Sequence, residues 1–182
     1  MIFANYDPPL YFVTFCTMYR QRILACEAVD ASLREFGGRG ASEGRAASGR
    51  YVIMPDHVHL FVRGGQRFNL GLWVRALKRT LANAIKASGT QNVVAPVSGA
   101  EPHDIGSPGT GECAPGTGEC APGTGATTSS IWQPGFFDHV MRNSESYASK
   151  WQYVRENPVR AGLVERSEDW LYQGEIVLID RV

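Results

Sequence analysis

Tyr51-Val-Ile-Met-Pro-Asp-His-Val-His-Leu-Phe-Val62 is the stretch on which the reading of this chain turns. Its valines, isoleucine, leucine and phenylalanine predict a largely buried strand, and side chains two apart on a strand leave from the same face. His57 and His59 therefore project together while Val58 points the other way. A buried imidazole needs partners for its ring nitrogens. A shared divalent cation would supply them, and so would ordinary hydrogen bonds, so the spacing alone leaves both open. The Pro55-Asp56 step fits either a hairpin between two strands, roughly Arg50 to Met54 and His57 to Arg63, or a bend within one bulged strand.

Upstream, Leu10-Tyr-Phe-Val-Thr-Phe-Cys-Thr17 is dense in aromatic and β-branched residues and predicts a central strand. A short helix is expected from Glu27 to Phe36, with Ala28, Ala31 or Ser32, and Phe36 turned inward and Gly37-Gly38 as its stop. The following GGRGASEGRAASGR, residues 37 to 50, is expected to be an exposed, mobile loop. Downstream, Leu70, Val74, Leu77, Leu81 and Ile85 recur at three or four residues, which predicts an amphipathic helix from about Asn69 to Ala87. Its other face carries Arg75, Lys78, Arg79 and Lys86. Between Arg63 and Lys86 there are six basic residues and no acidic one, a pattern suited to phosphate contact and equally to a solvated helix face.

The chain has 182 residues, 43% hydrophobic, and 18 basic against 18 acidic side chains. That size suits one domain, here expected over 1–182, and a zero net charge argues against long-range attraction for polyanions. No apolar run approaches the length of a bilayer span, and the N-terminus lacks the pattern of a signal peptide, so a cytoplasmic protein with no membrane partner is expected. The four cysteines do not suggest a disulfide framework, and Cys113 with Cys120 lacks the second ligand pair of a zinc site. Both lie in a repeat, PGTGECA at Pro108 to Ala114 and again at Pro115 to Ala121, whose glycine and proline content forbids a packed helix. Residues 88 to 130 are read as a disordered low-complexity insertion.

Beyond the insertion, ordered structure is expected to resume at Ile131-Trp-Gln-Pro-Gly-Phe-Phe-Asp-His-Val-Met-Arg142. A helix follows from about Ser144 to Asn157, capped by Asn143 or Ser144, with Tyr147, Trp151 and Val154 on one side and Pro158 ending or bending it. A last short strand is expected around Glu175 to Ile179. Tyr153 and Asn157, four apart, share a helical face, so a phenol and an amide oxygen can approach one point together. A phenol is a weak nucleophile at neutral pH because its pKa is about 10, and a divalent cation beside a phosphate substrate would change that.

These residues carry a family resemblance. MPDHVHLFV resembles the histidine, hydrophobic, histidine motif of the HUH nucleases. Trp132-Gln-Pro-Gly-Phe-Phe-Asp-His-Val-Met-Arg142 with Tyr153-Val-Arg-Glu-Asn-Pro-Val-Arg-Ala-Gly-Leu-Val164 resembles the REP-associated tyrosine transposases. The resemblance spans residues 8 to 87 and 131 to 172. It implies an α+β fold, ferredoxin-like or RRM-like, with an antiparallel sheet, packed helices and the HUH motif on a central strand. It implies further that His57, His59 and Asn157 bind Mg2+ or Mn2+, and that Tyr153 attacks a DNA phosphate, forming a 5′-phosphotyrosine and releasing a 3′ hydroxyl. Single-stranded or hairpin DNA would be the partner, with Lys78, Arg79, Arg142, Arg155 and Arg160 along its backbone and His139 structural or DNA-contacting. The assembly would be a monomer or a homodimer. A non-catalytic DNA-binding module of the same fold is the alternative, and an RNA-binding RRM-like protein explains the histidines poorly.

Overall fold

The structure, a computed structural model, describes residues 9–65, 67–89, 130–141 and 144–179. Strands β1 (Leu10–Cys16), β2 (Ala46–Ile53), β3 (His57–Gly64), β4 (Phe137–Met141) and β5 (Gln173–Glu175) form one sheet. Its order is β4-β1-β3-β2-β5, and every pairing is antiparallel. Helices α1 (Glu27–Ser42) and α2 (Leu70–Ala87) complete a β-α-β-β-α-β unit. This is the ferredoxin-like arrangement, extended by β5 on the outer edge of β2. The Pro55-Asp56 step is a hairpin, with β3 at the centre of the sheet.

Alternation along β3 assigns the two faces. Val58, Leu60 and Val62 are fully buried and join Val29 and Leu33 of α1 and Val74, Leu77, Leu81 and Ile85 of α2 in one core. Each buried aliphatic of this kind stabilises the fold by about 1.5–3 kcal/mol. Phe61 points the other way, into a second core with Phe12, Val52, Met141, Tyr147, Val154 and Trp170. Tyr147 and Val154 belong to α3 (Ser144–Arg155), which lies on that second face and is followed after Glu156 by the single turn α4 (Asn157–Arg160). Pro158 sits in that turn, so the helix does break where Asn157-Pro158 required.

Three expectations are corrected. Helix α1 does not stop at Gly37-Gly38 but runs on to Ser42; Ala28 and Phe36 do pack, partly buried, against the core, while its fully buried residues are Val29, Leu33 and Gly37 and Ala31 is exposed. Residues 37 to 50 are not a loop, because only the turn around Gly44 separates α1 from β2. Their small side chains serve close packing. A Cβ on Gly37 would stand 2.8 Å from Ile176 and 2.9 Å from Ser48, and one on Gly49 would stand 2.6 Å from Ile179. The last strand is Gln173–Glu175, starting two residues and ending four residues earlier than expected, its ladder with β2 closing at the Arg50–Glu175 pair. The repeat, most of the 88–130 insertion, Arg142 and Asn143 lie outside the described residues. Among the described residues no helix is long and apolar enough to cross a membrane.

Candidate active site

Residues directly opposite one another in an antiparallel pair share a face. Register puts Thr14 of β1 opposite His59 and Cys16 opposite His57, so the face that carries Phe61 also carries both imidazoles. Each ring is held at its Nδ1. The His57 Nδ1–H donates to Asp56 Oδ1 at 2.6 Å, since an ionised carboxylate can only accept, and this leaves a lone pair on His57 Nε2. His59 Nδ1 lies 2.8 Å from Thr14 Oγ1, and its ring stacks on Phe12 with centroids 5.5 Å apart and planes 18° from parallel. The two Nε2 atoms face each other at 3.1 Å.

Electrostatics follow from this packing. Burial drives the His59 imidazole well below its ordinary range, and the charges of His57, Lys150 and Arg20 push it further the same way. His59 is therefore neutral and free to ligate. Burial pushes the Asp56 carboxyl up, but the hydrogen bond and charge of His57 together with Arg20 outweigh it, and the group ends below its usual range. Arg20 Nε stands 2.7 Å from Asp56 Oδ2. It reaches there from a turn in which Tyr19 and Arg20 both take left-handed backbone, φ 55°.

The donor set fits a divalent cation. Two nitrogens about 2.1 Å from one ion and at right angles around it are about 3.0 Å apart, close to the separation of the two Nε2 atoms. Thr14 as acceptor permits the His59 tautomer that turns a second lone pair inward. Among the described residues no group of three His, Cys, Asp or Glu side chains gathers around a point, so a third ligand drawn from those residues is of another type.

Helix α3 brings the second half of the site. Tyr147, only 4% exposed, packs on Phe61 with centroids 4.6 Å apart, as expected of a packing residue. Tyr153 is 61% exposed, on a different side of the helix. Its ring is covered by the Arg160 guanidinium, 4.1 Å from the centroid, and Arg160 also donates to the Tyr153 carbonyl and to Asn157 Oδ1. Arg160 thus ties Tyr153 and Asn157 together across the break between α3 and α4. Among the described residues no hydrogen bond joins either of them to the histidines. Lys150, one turn before Tyr153, lies with Nζ 5.2 Å from the centroid of Phe12, the ring on which His59 stacks.

The expected basic residues divide. Arg155 and Arg160 are on the α3–α4 side, Arg155 lying 3.7 Å from Glu168. Lys78 and Arg79 are on α2, across the sheet from the histidines. Lys78 donates to the carbonyls of Gln133 and Gly135, the first at 3.1 Å, and burial pushes its ammonium down to about 8. Arg79 is exposed. His139 is exposed on β4 opposite Phe12, on the histidine face, beside the half-exposed Phe137. Thr14, Asp56, Arg20 and Lys150 were not singled out from sequence. Asp56 had a signal, its place immediately before the first histidine, whereas Thr14 and Lys150 enter only through strand register and helix docking.

Residues 9–97 match the family model described as transposase IS200 like. Over that segment, just under half of its length, the chain resembles the IS200-like transposases. It is also similar to a REP-associated tyrosine transposase of Escherichia coli K12, 42% identical over 41 residues, covering 22% of this chain and 25% of that protein. A putative REP-associated tyrosine transposase of Haemophilus influenzae Rd is 41% identical over 44 residues, 24% of this chain and 25% of that protein. Each alignment thus spans a quarter of the relative. The fold is shared with a solved structure described as a REP-associated tyrosine transposase bound to a REP hairpin, with a TM-score of 0.58 at 18% identity, covering 95% of this chain and 81% of that one. The ferredoxin-like sheet derived above is therefore the fold of that solved structure as well.

Proposed function

We propose that this protein is a divalent-metal-dependent enzyme that nicks and rejoins single-stranded DNA through a tyrosine-linked intermediate, on hairpin-forming substrates. The observation that carries this reading is the convergence of two imidazole Nε2 atoms at 3.1 Å, with Asp56 and Thr14 holding the opposite nitrogens, on the face where α3 brings Tyr153. His57 and His59 would hold Mn2+ or Mg2+. Asn157 is the third ligand, and taking that role requires its Oδ1 to exchange Arg160 for the ion. When bound, the ion acts as a Lewis acid toward a phosphate oxygen.

The chain's own residues perform the rest. Tyr153 Oη bonds to phosphorus and loses its proton, the bond from phosphorus to O3′ breaks, and the released O3′ takes up a proton to become a hydroxyl. Attack by a 3′ hydroxyl reverses the step and rejoins strands, and no nucleotide cofactor is consumed. Arg155 and Arg160 stand where a DNA backbone entering beside Tyr153 would run. Phe137 and His139, exposed on the same sheet face, offer a stacking surface for unpaired bases. Lys78 and Arg79 would meet only DNA reaching the helical face, and Arg142 belongs to the same set of backbone contacts. The similarity to a protein whose described ligand is a REP hairpin supports a hairpin substrate.

The test is incubation with a hairpin-forming single-stranded oligonucleotide and Mn2+, followed by a denaturing gel. A covalent adduct with the wild type and none with Tyr153→Phe is expected. Absence of the wild-type adduct, or its survival in Tyr153→Phe, refutes the reading. Binding without any adduct would favour the DNA-binding module.

A further inference from the structure

We propose that Lys150 binds the DNA phosphate that is positioned for attack, completing an anion site between the histidine pair and Tyr153. This rests on the reading above. Lys150 is half-buried, its Nζ lying 5.2 Å from the centroid of Phe12, the ring on which His59 is stacked. The ammonium and the imidazole therefore share contact with one aromatic ring. One helical turn separates Lys150 from Tyr153, on the helix side intermediate between the buried Tyr147 and Val154 and the exposed nucleophile.

Its surroundings set it apart from the other cations near the site. Arg20 is paired with Asp56, Arg50 with Glu175 and Arg155 with Glu168. Lys150 has no carboxylate partner among the described residues, only an aromatic ring beneath it. A partly buried ammonium facing two metal-ligating imidazoles has an awkward electrostatic position, because a divalent ion between those imidazoles repels it. A phosphate resolves the conflict. One anionic oxygen can face the metal while another accepts from Nζ, and the two cations then attract the same group instead of only repelling each other.

This arrangement gives effects of opposite sign from one substitution, which mere packing on Phe12 does not. The full-length protein is titrated with Mn2+ without DNA, free ion being followed by its electron paramagnetic resonance. Affinity for a single-stranded hairpin oligonucleotide is measured separately in EDTA across a salt series. Lys150→Met keeps the aliphatic contact with Phe12, Lys150→Gln is the second neutral variant, and Lys150→Arg restores the charge. The neutral variants should bind Mn2+ about three- to tenfold more tightly in the absence of DNA. They should also bind DNA more weakly, with the logarithmic salt slope reduced by about 0.7, the signature of one lost phosphate contact on a single strand. Lys150→Arg should return both readings toward wild type.

An unchanged salt slope overturns the proposal. A reduced slope with unchanged or weakened Mn2+ affinity also overturns it, by removing Lys150 from the metal-bound phosphate. Failure of the wild type to bind Mn2+ refutes the metal reading instead, and the salt slope in EDTA then decides whether Lys150 contacts DNA.

Discussion

The two halves of the candidate site are built differently. The histidine half sits on the central strand of the sheet, and its hydrogen-bond partners come from two positions, Thr14 of β1 and Asp56 of the hairpin between β2 and β3. The tyrosine half sits on α3 and α4, where Tyr153 is exposed and is linked to Asn157 through one guanidinium, that of Arg160. A strand centre fixes ligand geometry before anything binds, whereas an exposed helix face leaves room for a polymer to enter between nucleophile and metal ligands. The division assigns preorganisation to the sheet and access to the helix.

Substitutions can break the two halves separately. The largest effect is expected for His57→Ala, which removes one of the two proposed imidazole ligands and the hydrogen-bond partner of Asp56. Adduct formation should fall about a thousandfold, the rate equivalent of the several kcal/mol a Lewis acid supplies, while the folded state persists because His57 lies outside both cores. Parallel loss of thermal stability would show that the pair is structural. Tyr147→Ala attacks the other half, since it removes the ring that seats α3 on Phe61. It should cost about 3 kcal/mol in denaturant unfolding and lower adduct formation, yet weaken Mn2+ binding less than His57→Ala does, because only the Asn157 ligand is displaced. A drop in Mn2+ affinity as large as that of His57→Ala would mean that the histidine half depends on how α3 is seated. The smallest effect is expected for Thr14→Val, which strips His59 Nδ1 of its hydrogen bond at nearly constant volume. Mn2+ should bind about tenfold more weakly, as for other partners that orient a ligating imidazole.

What could be read from the sequence divides along similar lines. β1, β3 and α2 announce themselves through strong periodicity, and their boundaries fall within a residue or two of the expectation. The end of α1 and the start of β2 were read as loop because glycine and alanine carry no periodic signal. Gly37 and Gly49 are there because α1 and the C-terminal segment press on β2 too closely for a side chain, a fact of tertiary contact rather than of local propensity. The same holds in the site. His57, His59, Tyr153 and Asn157 stood out by spacing, whereas Thr14 depends on the β1–β3 register and Lys150 on how α3 docks, neither of which is written in a local pattern.

The central claim is that Tyr153 forms the covalent bond to DNA. Trypsin cleaves after Lys150 and Arg155, so Tyr153 is carried in the peptide Trp151-Gln-Tyr-Val-Arg155. After reaction with a hairpin oligonucleotide and Mn2+, nuclease trimming and tryptic digestion, tandem mass spectrometry reads which residue holds the added nucleotide. The account predicts a 5′-nucleotide phosphate on Tyr153 in that peptide. The same mass on Tyr147, on Tyr19 or on any other side chain would contradict it.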